Sequence, residues 1–176
     1  MPVSKAHRYL ASFAHAGLVR QAGKSGKYDL GPGAIQLGLA AMARNDAINL
    51  AADGLPDLCG ETGLTALLSV WGDSGPTVVR WERTANFMVT TLGLGTILPV
   101  VGSATGHVFL AYLPRPLTAA RLETDRRSAP QIDPDSMAAQ TRAAGYATVS
   151  GDLLLGLSAL AAPVLDWQGE AQAVVT

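Results

Sequence analysis

Two groups of side chains in this 176-residue chain have types and spacings that could do chemistry. The first lies near the start. Lys5, Arg8, Ser12 and His15 fall on one face of a short amphipathic segment, with Ser4 at its head and Tyr9 alongside. Guanidinium and ammonium groups donate to guanine acceptors or neutralise phosphates, and serine hydroxyls donate to phosphate oxygens. The same face also reads as a solvated basic helix surface, and charge and periodicity alone leave both readings open. The second group is Gly102-Ser103-Ala104-Thr105-Gly106, just ahead of an apolar helix. A helix N-terminus carries unpaired backbone N–H groups and the positive end of the helix dipole, which suits a carboxylate. Ser103 and Thr105 add hydroxyls, although the stretch also reads as an ordinary capped helix entry. Ser103 and His107, at i and i+4, form the one pair within reach for nucleophilic chemistry. With no third group to orient them, the chain is not expected to be an enzyme, and no catalytic residue is assigned.

Charge distribution sharpens the first group. The whole chain holds 13 Lys+Arg and 14 Asp+Glu, a formal net charge of −1. All the lysines, Lys5, Lys24 and Lys27, precede residue 28. Residues 1–30 have five basic groups and one acid (net +4), whereas residues 31–176 have eight basic and 13 acidic groups (net −5). A basic end on an acidic body points to a polyanionic partner for that end. A 48% apolar content allows a buried core and excludes wholesale disorder. One cysteine, Cys59, excludes an intrachain disulfide framework and reads as a small buried hydrophobe. His7, His15, His107 and Cys59 have no zinc spacing, so neither metal nor cofactor is expected. No apolar run approaches the roughly 18 residues of a membrane span, and the first residues lack a signal-peptide core. A cytoplasmic protein that does not engage membranes is the expectation.

The elements that must position these groups follow from pattern. Residues 4–16 read as a helix, with Ser4 as N-cap, Gly17 just past the end, and Ala6, Leu10, Phe13 and Ala14 as its buried stripe. Leu18–Gln21 and Lys27–Leu30 read as strands joined by a glycine-rich basic turn at 23–26. Gly31-Pro32-Gly33 breaks the chain before a helix from about Ala34 to Leu50. A short helix, Asp57–Glu61, precedes strand candidates at Thr65–Trp71, Thr77–Arg83 and Phe87–Leu92. An apolar helix is expected at His107–Leu113. Residues 117–144 read as helical with a polar break near 129–134. Leu157–Asp166 and Ala171–Thr176 read as strands. Trp71, Trp81 and Phe87 read as core or as aromatic walls. Both chain ends read as cut, because the first helix lacks something to pack against and the last strand has no terminating signal.

These residues resemble the IclR family of bacterial transcriptional regulators. The likeness rests on Ser4–Leu10, Ala16-Gly17-Leu18-Val19, Tyr28-Asp29-Leu30-Gly31 with Leu37-Gly38, Leu98-Pro99 leading to Ala104–His107 and Leu110-Ala111, and Gly145-Tyr146-Ala147 with Gly156 and Ala161–Val164. It implies an α+β chain with a partial winged helix-turn-helix over 1–33, a linker helix over 34–52 and a GAF-like effector-binding domain over 53–176, truncated at its C-terminal end. It implies operator DNA as a partner, contacted by Ser4, Lys5, His7, Arg8, Ser12, Lys24, Lys27 and Tyr28. It further implies a small organic or aromatic acid as effector, in a pocket formed by Gly102, Ser103, Ala104, Thr105, Val149, Asp152, Leu157, Ala159 and Thr176. A homodimer or tetramer, acting as repressor or activator, is expected. The alternative is a ligand-sensing fragment without DNA binding. Val149 stands where some acid-binding relatives have Asp, which favours an aromatic or longer-chain acid over a small keto acid.

Overall fold

The computed structural model describes residues 2–21, 23, 26–43, 46–84, 92–127, 131–151 and 156–176. The chain forms two compact units, Met1–Asp46 and Ala47–Thr176.

The first unit opens with α1, Val3–His15. Pro2, extended at φ −60° and ψ 141°, is its N-cap, and the Pro2 carbonyl accepts from the N–H groups of Lys5 and Ala6, both at 3.1 Å. Ser4 therefore lies inside the first turn and is not the cap. Proline takes that place because its fixed φ suits the helix entry and it has no N–H to leave unpaired. The other end closes as expected. Gly17 has φ 72°, its N–H donates to Ala14 O at 3.0 Å, and Leu18 N–H reaches back to Phe13 O at 2.9 Å. This is a Schellman motif, which needs a residue free to adopt left-handed backbone. The stripe expected to be buried is only partly covered. Ala6 and Leu10 are half-buried, Phe13 is 45% exposed, and no residue of α1 is fully buried. A hairpin of two three-residue strands is too small to cover a 13-residue helix.

That hairpin consists of β1, Val19–Gln21, and β2, Tyr28–Leu30, which are antiparallel with Arg20 opposite Asp29. The 3.5 Å Arg20–Asp29 ion pair is solvent-exposed and adds little stability. Gly31 and Gly33 then press against the α1 turn: Gly31 N–H donates to Leu18 O at 2.8 Å and Gly33 N–H to Gly17 O at 2.9 Å. A Cβ on either glycine would collide with the Gly17 carbonyl. The next helix, α2, runs Pro32–Ala43, with proline at its first position, where the missing N–H costs nothing. The single helix expected over 34–50 is thus two helices. The second, α3, spans Ala47–Asp53 and belongs to the other unit. Asp46, a residue type favoured at helix starts, immediately precedes it.

The second unit continues with α4, Leu55–Thr62, and the hairpin β3, Ala66–Gly72, with β4, Gly75–Glu82. Then follow α5, Ala104–Tyr112; α6, Arg115–Arg126; α7, Pro134–Ala144; β5, Ala147–Ser150; β6, Ser158–Leu165; and β7, Ala171–Val175. The five strands form one antiparallel sheet in the order β4-β3-β7-β6-β5. Period-2 alternation splits its side chains between two cores. Val174 joins Val108, Phe109 and Ala161 under α5, whereas Ala173 and Val175 pack with Leu55, Cys59 and Leu68 beneath α3 and α4. Leu110, Leu122 and Ala138 join α5, α6 and α7 in a further cluster. The α+β class read from the sequence is the class observed, and the second unit has the GAF-like plan of an antiparallel sheet with helices on both faces. Strand β5 was not expected. Its four residues alternate in and out, but that is too short a run for periodicity to show. The strand expected at 87–92 falls largely outside the described residues, and Leu92 is not in a strand.

The start of α5 lies against neighbouring backbone. A Cβ on Gly106 would run into Pro99 O, Val100 O and Val100 Cα, all main-chain atoms that cannot rotate away. Gly106→Ala should therefore lower stability by about 1–3 kcal/mol through overpacking, despite alanine's better helix propensity. Gly102→Ala meets only the Pro99 ring, at 3.4 Å, and should be nearly neutral. Urea unfolding followed by circular dichroism would compare the two.

Candidate functional site

The site is built outward from the N-terminus of α5. Ser103 is its N-cap in extended conformation (φ −136°, ψ 146°), and its Oγ accepts from Gly106 N–H at 3.0 Å. The same hydroxyl donates to Pro99 O at 2.6 Å. His107 Nε2 pairs with Val101 O at 2.9 Å. Ser103 and His107 therefore fasten the Pro99–Gly102 segment to the helix, and neither is arranged as a nucleophile or its base. The segment is held from two more elements. Leu98 N–H donates to Pro76 O of β4 at 2.7 Å, and Val100 N–H donates to Asp125 Oδ2 of α6 at 2.5 Å. Asp125 Oδ1 accepts from Arg121 Nε at 3.0 Å, and an Arg121 terminal amine reaches Ser74 O at 2.8 Å in the β3–β4 turn. The carboxylate is largely buried, so this charge-assisted network is poorly screened.

Beside this helix start lies a cavity of about 660 Å³. Ser103, Ala104 and Thr105 line it from α5, Val149 from β5, Leu157 and Ala159 from the β6 side, and Thr176 follows β7. Thr105 and Thr176 share a hydrogen bond between hydroxyls at 2.8 Å. Of the pocket residues expected from the sequence, Gly102 is not among the lining residues. It sits one step before the cap, facing the Pro99 ring. Asp152 lies outside the described residues. Other lining residues had no sequence signal. Leu58 and Thr62 come from α4, Thr65 and Leu67 from the start of β3, and Leu98 from the approach to α5. Trp81 also lines the cavity, whereas Trp71 is core and meets Phe109 edge-on at 5.6 Å. Phe87 is outside the described residues. Among the described lining residues none is charged, and the polar ones are threonines, serines and the Trp81 indole.

The basic face of α1 is a separate feature of the first unit. Ser4, Lys5, His7, Arg8 and Ser12 are all exposed, and Ser4, His7 and Arg8 border a shallow depression with Ala11. Ser12 Oγ donates to Arg8 O at 3.1 Å, so its proton serves the helix itself. Lys27 is exposed, Tyr28 is half-buried in β2, and Lys24 is outside the described residues. No helix among the described residues is long and apolar enough to cross a membrane, and no cluster of three or more described His, Cys, Asp or Glu could hold a metal ion.

The sequence pattern described as the bacterial transcriptional regulator IclR C-terminal region matches residues 39–176. The chain belongs to the IclR family. Its IclR relatives include the glycerol operon regulatory protein of Streptomyces coelicolor, 29% identical over 167 residues and covering 92% of this chain and 65% of that protein. The transcriptional repressor IclR of Escherichia coli is 26% identical over 185 residues, covering 100% of this chain and 68% of that one. The chain therefore spans about two thirds of these curated relatives. Among solved structures, Pseudomonas aeruginosa HmgR superposes with a TM-score of 0.89 at 36% identity, covering 99% of this chain and 72% of its own. The repressor BlcR of Agrobacterium tumefaciens, at 22% identity and TM-score 0.75, shares the fold, over 99% of this chain and 72% of that one. Its relatives are named as regulators, not enzymes.

Replacing Asp125 by Ala would strand the Val100 N–H and release Arg121. A stability loss of about 1–3 kcal/mol is expected, that of an unsatisfied buried donor. Chemical denaturation of the variant measures it, and an unchanged midpoint would mean that water replaces the carboxylate.

Proposed function

We propose that this chain senses a small organic or aromatic acid and couples its binding to operator recognition, in the cytoplasm, as part of a homo-oligomeric transcriptional regulator. The observation that carries this reading is the cavity beside the start of α5, lined by seven of the residues the family likeness implied. Ser103 already caps the Gly106 amide, and the earlier amides of α5 lack intrahelical acceptors and add donors to one wall, while the leucine and tryptophan lining suits an apolar body. Residues 1–33 would be a partial winged helix-turn-helix, 34–52 the linker and 53–176 the effector domain. The exposed Ser4, Lys5, His7, Arg8 and Ser12 support the DNA role of the first part, together with the basic hairpin that holds Lys24, Lys27 and Tyr28. Helix α2 leaves Ile35 65% and Leu37 63% exposed, which supports self-association through the linker as a dimer or tetramer. Effector binding would shift the balance between arrangements of the DNA-binding parts, to the extent that the two arrangements bind it unequally.

A second reading is a ligand sensor without DNA binding. It is favoured by α1 having no buried residue, which leaves the recognition helix poorly supported.

A thermal-shift screen of aliphatic and aromatic acids tests the effector role. At least one acid should raise the melting temperature in a concentration-dependent way. A folded protein that no acid stabilises would overturn that assignment. DNA binding is tested by titrating the chain with duplexes from its own upstream region at low and high salt. On the preferred duplex, Arg8→Ala should cost about 1–3 kcal/mol and relax specificity if Arg8 reads a base. An absence of binding even at low salt would favour the sensor reading.

A further inference from the structure

The cavity has an asymmetry of charge that bears on which acid it takes and which way round. Its described lining carries no charged side chain, and several of its hydroxyls are already engaged. Ser103 Oγ serves Pro99 and Gly106, Thr105 and Thr176 serve each other, Thr62 Oγ1 donates to Leu58 O at 2.7 Å, and Ser158 pairs with Ser150 at 2.9 Å. Moving a carboxylate from water into such surroundings is costly unless a cation or several donors meet it.

One cation is placed to do so without leaving water. Trp81 lines the cavity, and the Arg83 guanidinium carbon lies 5.6 Å from the Trp81 ring centroid. β4 ends at Glu82, and the strand alternation carried one residue past that end sets Arg83 on the side that Trp81 presents. The pairing register agrees. Leu67 stands opposite Trp81, and the register carried one pair beyond Ala66–Glu82 sets Thr65 opposite Arg83; both Leu67 and Thr65 line the cavity. Arg83 is itself exposed and not part of the lining, while the next residue, Thr84, is. The guanidinium, 5.6 Å from a ring that lines the cavity and next in sequence to Thr84, which also lines it, is within reach of a ligand group at the rim. Among the described residues no carboxylate pairs with it. The Trp81 Nε1–H is buried and has no hydrogen-bond partner among the described residues, so the indole offers a second donor besides the guanidinium. A volume of about 660 Å³ falls in the range that holds drug-sized ligands, and a two- to four-carbon acid would leave most of it empty.

We infer that the ligand is an amphipathic monoanion, a single carboxylate on a bulky apolar body, seated with its apolar end inward and its carboxylate at the rim on Arg83. This rests on the cavity being the effector site, as proposed above. Arg83 then selects for charge, and the leucines and Trp81 select for size and apolarity. Polyhydroxylated compounds and dicarboxylic acids are disfavoured because their second polar end would be buried.

Isothermal titration of the full chain with octanoate and 4-phenylbutyrate, and with octan-1-ol and 4-phenylbutan-1-ol, tests this. In Arg83→Gln the acids should bind about three- to ten-fold more weakly while the alcohols are unchanged. Arg83→Lys should recover part of the loss, and added salt should erode the wild-type preference for acid over alcohol. Acids that bind Arg83→Gln as tightly as wild type overturn the proposal, as does an equal loss for acids and alcohols. A loss for the acids in Thr105→Val but not in Arg83→Gln places the carboxylate at the start of α5; that removes the Arg83 seat and leaves the effector reading intact. If wild type binds neither the acids nor the alcohols, the amphipathic-monoanion proposal fails, and the effector reading then rests on the outcome of the acid screen described above. Arg83 is exposed, so its variants should keep the wild-type circular dichroism spectrum.

Discussion

The second unit depends on how closely α5 approaches the chain that leads into it. Gly106 lies where any side chain would strike the main chain of Pro99 and Val100. That approach draws in the surrounding bonds. Ser103 and His107 can reach carbonyls of the Pro99–Gly102 segment only because helix and segment nearly touch, and Asp125 can take the Val100 N–H only because that segment is held in place. With α5 fixed, its buried face sets the inner surface of the sheet and its first turn sets one wall of the cavity. The polar network around Asp125 is fully used, which makes it a specifying device and not a cost.

The architecture was legible where a local signal coincided with a tertiary one. Gly17 marked the end of α1 because a Schellman turn needs positive φ, and the Asp73–Gly75 region marked the β3–β4 turn. Ser4 is not the cap because Pro2, two residues earlier, is the better start. The sequence reads as one helix over 34–50 because its apolar content bridges two units that the periodicity does not distinguish. Strand β5 was too short to have a period at all.

The cavity shows the same division. Ser103, Ala104 and Thr105 could be picked out because a glycine- and hydroxyl-rich helix entry has a chemical meaning within a few residues. The family likeness supplied Val149, Leu157, Ala159 and Thr176. Nothing local marks Leu58 or Thr62, which are ordinary residues of an amphipathic helix until the fold lays α4 beside the start of β3. Trp81 is ambiguous in sequence for a related reason, since strand aromatics serve cores and cavities alike; Trp71 and Trp81 are both half-buried, and only what each touches on the finished sheet separates them.

The Thr105–Thr176 hydrogen bond joins residues 71 positions apart, and the cavity it borders draws on segments from α4 to the final residue. No partly folded chain can assemble such a space. A small molecule that fills it binds only the closed fold, and at about a hundred times its dissociation constant it would add roughly 2.7 kcal/mol against unfolding. In a cell, proteases and chaperones act on the unfolded fraction, so this difference is also a difference in lifetime. Under the effector role proposed above, the compound that controls the protein would then also set how much of it survives, with no contact beyond those that line the cavity.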